Sequence, residues 1–184
     1  MTTNDGIQQE YNKYTEFPFL SYNCISYLMQ NNEDIWKLLK YNTANALNEP
    51  NLTNAQKAAL IYKGQEKETD FRVFFDGGQD DSWKIECGIL RIYPYDIDPI
   101  NWKIGNISLC LQVFCHYKVN HLVNYTTRVD TIIQNLIETL NGADIEGIGR
   151  LHFNKKAARM SGVRDIGTIP FRGKVLMMGN NALG

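Results

Sequence analysis

Between residues 128 and 141 the chain places Val129, Ile132, Ile133, Leu136, Ile137 and Leu140 at intervals of three and four. That spacing lines one side of an α-helix with apolar groups and leaves the other side polar. Thr127 supplies an N-cap, Asp130 stands where it can answer back, and Asn141-Gly142 ends the helix. Such a stripe has to lie on a broad apolar surface, which a sheet provides. The alternation of Leu109, Leu111, Val113, Cys115 and Tyr117 with Cys110, Gln112, Phe114, His116 and Lys118 predicts a long strand over 107–119. Its first set is a core face; its second is mixed.

The rest of the chain fits around that unit. Residues 1–20 are polar with scattered aromatics (Tyr11, Tyr14, Phe17, Phe19) and read as an N-terminal arm. Ile25, Leu28 and Met29 begin helical spacing, which Asn31-Asn32 breaks. Asn32 can cap a second helix holding Ile35, Leu38 and Leu39 and extending toward Ala46-Leu47. Thr53 or Asn54 caps a third, which Gly64 stops. From Phe71 the pattern turns to β: a strand at 71–75, a glycine-bearing turn at 76–81, and a strand at 85–93 with a bulge expected near Gly88. Pro94 and Pro99 bracket an expected loop. Two closing strands, 149–153 and 174–178, flank a loop over 154–173. The expected fold is α+β: N-terminal helices, then a mainly antiparallel sheet with one amphipathic helix packed on one face. One domain spans 21–184, helical over 21–65 and sheet-plus-helix over 70–180.

The charge balance gives little reason to expect nucleic acid as a main ligand. The 184 residues carry a net charge of −1, whereas wrapping DNA or an anionic membrane needs many uncompensated Lys and Arg. No apolar run approaches the roughly 20 residues that span a bilayer. The N-terminus has no apolar signal core, so synthesis in a cytosol is expected and the three Asn-X-Ser/Thr sequons are read as chance.

Each candidate chemistry has a plainer structural explanation. There is no phosphate-binding glycine loop; Gly142, Gly147 and Gly149 follow a helix and read as structural. A metal site from Cys110, Cys115, His116 and His121 is disfavoured, because Cys110 and Cys115 leave opposite faces of a strand. The four cysteines show no zinc or disulfide spacing and read as buried thiols. Asp76, Asp80 and Asp81, and likewise Asp96 and Asp98, sit in predicted turns where carboxylates stay solvated. No catalytic, cofactor or metal residues are therefore expected. The 154–172 segment is the exception in interest: Lys155, Lys156, Arg159, Arg164 and Arg172 face a single acid, Asp165. The plain reading is a solvated loop. The functional one is a contact surface, to acidic loops on a neighbouring copy, with Asp76, Asp80 and Asp81 as the acidic partner, or to DNA passing nearby.

The order of elements resembles that of the tail-terminator and head–tail joining proteins in the neck of tailed bacteriophages. The likeness covers roughly 70–180. It is carried by Leu90-Arg91-Ile92-Tyr93-Pro94, the strand Leu109–Tyr117, Arg128-Val129-Asp130, Gly147 to Phe153, and Ile169 to Leu176. The resemblance implies a non-catalytic virion protein forming a six- or twelve-fold ring. Its implied partners are neck, portal or tail proteins and genome DNA passing the lumen without sequence-specific contact, with no membrane. The rival expectations are a protein-interaction adaptor outside any phage and a small enzyme whose site no motif reveals.

Overall fold

The computed structural model describes residues 19–64, 67–77, 85–99, 105–146, 148–153 and 171–180. Helix α1 (Leu20–Asn31) turns Leu20, Cys24, Ile25 and Leu28 inward. It starts one residue inside the expected arm, with Phe19 at its cap; residues 1–18 lie outside the described ones. Asn32 then caps helix α2 (Asp34–Lys40), its side-chain oxygen accepting from the Ile35 N–H at 2.9 Å. The same side chain donates to Asn135 and Thr139 at 2.9 and 2.8 Å, so one residue ends α1, opens α2 and ties both to a later helix. The expected extension of α2 is a separate 3-10 turn, Ala46–Asn48. Helix α3 (Asn54–Ala58) carries a full capping box between Thr53 and Gln56. It ends six residues before Gly64 because Ile61 pairs with Val73.

Strand β1 (Val73–Phe74) runs parallel to β2 (Gly88–Pro99), which forms a long antiparallel hairpin with β3 (Gly105–His116). A 3-10 turn at Tyr117–Val119 ends β3 sooner than the alternation predicts. Helix α4 (Arg128–Leu140) follows as expected, with Thr127 at its cap. Short strands β4 (Asp144–Ile145) and β5 (Gly149–Arg150) pair with each other. Strand β6 (His152–Phe153) and β7 (Phe171–Gly179), which lies between β3 and β6, complete a five-stranded sheet ordered β1-β2-β3-β7-β6. The α+β, mainly antiparallel architecture is the expected one.

Three local expectations change. The register shift lies between Pro94 and Asp96 and not near Gly88. Residues 95–98 continue β2 and do not form a loop, because β3 offers partners down to Gly105 and a bulge after Pro94, which has no N–H, lets pairing resume. At the far end, Phe171–Gly173 belong to β7. Gly173 makes that possible: a Cβ there would lie 2.5 Å from the Phe114 ring and 2.9 Å from the Val113 carbonyl. Residues 154–170 lie outside the described ones.

One face of the sheet carries the main core. Leu90, Ile92, Leu109, Leu111, Val113, Cys115, Leu176 and Met178 meet the inward residues of α1, α2 and the α4 stripe. Trp36 of α2 is fully buried among them, its indole N–H donating to the Leu28 carbonyl at 3.2 Å. A smaller cluster of Phe74, Cys87, Ile89 and Phe114 occupies the opposite face.

Candidate interaction surface

A charged side chain stays buried only when partners compensate the loss of water. Arg128 is fully buried at the first residue of α4. Its Nε donates to the Val119 carbonyl at 2.8 Å. Nη1 donates to Leu38 and Tyr41 at 2.5 and 2.8 Å, and Nη2 to Thr43 at 2.8 Å. Two of these carbonyls belong to the last turn and C-cap of α2, where the helix dipole favours a cation. Burial lowers the guanidinium pKa from its ordinary value. The side chain is thus a clamp between α2, the 3-10 turn after β3, and α4. Sequence reasoning treated Arg128 only as the start of a helix. The signal was there: a cation in a first turn opposes its own helix dipole and calls for another role.

Arg91 is the second such group. It projects from β2 away from the main core, fully buried, with its guanidinium 4.9 Å from the centre of the Phe74 ring. Its Nη1 meets the Asp76 carboxylate at 2.5 Å and the Asp76 carbonyl at 3.2 Å. Beside it Tyr93 accepts from the Gln112 side chain at 2.7 Å, and the ring of Tyr93 closes against Gly77. Lys57, also buried, is held by Glu33 at 2.6 Å and by the Met29 carbonyl at 2.8 Å.

These contacts bear on the contact residues expected from sequence. Asp76 alone among them has a described side chain, and it engages Arg91 of its own chain. Asp80, Asp81, Lys155, Lys156, Arg159 and Arg164 lie outside the described residues; for Arg172 only its place in β7 is described. Cys110 and Cys115 do leave opposite faces: Cys115 joins the main core, while Cys110 lies across from Tyr93. Burial pushes the thiols of Cys24 and Cys115 up to about 12, which leaves them protonated and unreactive at neutral pH. The Nδ1 of His116 accepts from the Lys118 N–H at 3.3 Å. Among the described residues no three His, Cys, Asp or Glu side chains converge as metal ligands.

Two surface features remain. The first is the outer end of the β2–β3 hairpin. On its β1 side, β2 pairs only through Leu90 and Arg91, and on the other side β7 reaches no farther than Ser108. Asp98–Pro99 and Gly105–Asn106 therefore project as a two-stranded ribbon beyond Ile107, which Asn180 still holds by two hydrogen bonds, with Tyr95 exposed at 67% on its approach. The second is an apolar groove of about 400 Å³ between α1, the segment after α3, and β1. Tyr22 and Met29 of α1 line it together with Ala58, Ile61, Tyr62, Lys63 and Phe75. The rings of Tyr22 and Phe75 meet edge to face at 6.4 Å. Tyr22 is 52% exposed and Phe19, one turn earlier, 59%. These aromatics were visible in the sequence singly; what brings them together is the pairing of Ile61 with Val73.

The model of a protein family described as YomW matches residues 32–165. No curated protein matches the chain, and no solved structure does.

Proposed function

The chain belongs to the YomW family, a name that states no activity, and we propose for it a structural role. It is a virion subunit that associates with copies of itself into a ring in the neck of a tailed phage, ending the tail or joining head to tail. The observation that carries this reading is the projecting hairpin end. A two-stranded ribbon is marginal by itself in water and gains stability when a third strand or a packed surface covers it. On the β1 side of β2, no strand pairs from Ile92 outward among the described residues, so an adjoining subunit is a fitting cover. Head-to-tail contacts of that kind close into rings when the rotation permits. The order of helices, hairpin, helix and closing strands resembles that of tail-terminator and head–tail joining proteins, which form rings.

On this reading the protein is not an enzyme and resides in the virion, in six or twelve copies, beside portal or tail proteins. Genome DNA passes its lumen without base-specific contact, in keeping with a net charge of −1. The buried Arg128, Arg91 and Lys57 serve packing and not turnover. A second reading, a protein-binding adaptor, draws on the apolar groove. Light scattering on the eluting protein, with negative-stain imaging, separates the two. Closed rings are expected; a monomer at every accessible concentration ends the ring reading.

A further inference from the structure

We propose that the apolar groove receives the N-terminal segment, residues 1–18, of a second copy of this chain, so that each subunit holds the arm of its neighbour. This rests on the self-association proposed above and names the contact that would produce it.

Chemistry matches the two parts. The groove offers Tyr22, Met29, Ile61, Tyr62 and Phe75, with the exposed Lys63 beside them. The segment brings Ile7, Tyr11, Tyr14 and Phe17, and its acids Asp5, Glu10 and Glu16 outnumber its one base, Lys13. Aromatic bodies fit the apolar walls, and a carboxylate meets Lys63. A groove of about 400 Å³ is of a size that binds small ligands and takes one or two such side chains. Phe19 and Tyr22, both exposed, continue the same aromatic surface to the point where the segment joins α1.

Geometry favours a second copy over the chain's own arm. The groove runs along α1 from Tyr22 to Met29, about 10 Å. Tyr14 and Phe17 stand eight and five residues before Tyr22 in the sequence, so filling the groove of their own chain would require a tight reversal directly ahead of α1, which a neighbour's arm does not need. Eighteen residues span up to about 60 Å, ample to reach an adjoining subunit.

Complementation tests the exchange in the full chain. One variant, Tyr14→Ser with Phe17→Ser, keeps the groove and loses the arm's anchors. Another, Ala58→Arg, fills the groove and keeps the arm; Lys63→Glu, at an exposed position, serves if the first does not fold. Thermal melts establish folding, and light scattering reads the mass. Each variant alone should be monomeric where the unaltered chain associates, and an equimolar mixture should restore a dimer through the one intact arm and the one intact groove. Variants that associate like the unaltered chain overturn the inference and leave self-association standing. A mixture that stays monomeric also overturns it, assigning the groove to the chain's own arm. An unaltered chain that never associates sinks the ring reading and this inference with it.

Discussion

Arg128 donates to the carbonyl of Leu38, ninety positions earlier, at 2.5 Å. Through that bond and those to Tyr41 and Thr43, the start of α4 is fastened to the end of α2 and the residues just after it, and a fourth bond reaches Val119, without a carboxylate among these partners. Replacing Arg128 by Lys keeps a charge but loses the planar fork that reaches four carbonyls. Arg128→Lys should therefore destabilise the fold by about 3 kcal/mol. Urea unfolding, read as a lowered midpoint at unchanged slope, checks it.

The stripe of α4 gives a graded expectation. Leu136 is fully buried, so Leu136→Ala should cost about 2–5 kcal/mol. Ile133→Asp, which puts a carboxylate into the same core, should leave no folded protein. Gln134 on the exposed side should tolerate Ala within about 0.5 kcal/mol. Chemical denaturation of the three variants orders them, and a folded Ile133→Asp would refute the assigned face.

Gly173 lies in β7 against the Phe114 ring and the Val113 carbonyl. Gly173→Ala forces one of them aside where β7 begins its pairing with β3 and should cost about 1–3 kcal/mol. The variant's thermal midpoint measures this. Loss of the effect in a Gly173→Ala, Phe114→Leu double variant would show the ring to be the obstacle.

Acid should weaken the fold in two stages. Burial holds the His116 imidazole below its ordinary value of 6.5, against Glu86, which pulls it up, and with Lys118, which pulls it down. Its neutral form is favoured on folding, so its contribution is full above about pH 6.5 and falls as pH drops through the lower, folded value. Burial alone would raise the Asp130 carboxyl, but hydrogen bonds from Lys174 and Thr127 hold it below its ordinary 3.8. That contribution is lost only as pH falls below about 4. In a pH series of melts, His116→Gln should flatten the first stage and Asp130→Asn the second. A slope of opposite sign would refute the assignment.

The ring reading makes its own demand on the basic segment. Reversing charge at Lys155, Lys156 and Arg159 together should weaken assembly, and added salt should weaken assembly of the unaltered chain. Sedimentation velocity at two ionic strengths is the measurement. Unchanged assembly of the triple variant removes these residues from the interface.

Much of the fold could be read from local pattern, and what could not depends on distant partners. Helix α4 was legible because its period, cap and stop are all local. The outer half of β2 was not: Pro94 and Pro99 signal a loop, and only β3, arriving later in the chain, turns those residues into strand. The two-residue strand β4 is too short to leave an alternation, and the single strand expected over 149–153 divides into β5 and β6, which pair with β4 and β7 respectively. The groove escaped for a related reason. Tyr22, Tyr62 and Phe75 come from three separated segments, and no spacing links them until Ile61 pairs with Val73.

The placement of β7 has a practical consequence. The family match stops at residue 165, yet the strand at Phe171–Gly179 lies between β3 and β6, in the interior of the sheet. The match also begins at residue 32, past a helix whose Leu20, Cys24, Ile25 and Leu28 are solvent-free. A recombinant fragment trimmed to the matched limits would lack both a central rib and one wall of its interior. Such a fragment should precipitate or be degraded on expression.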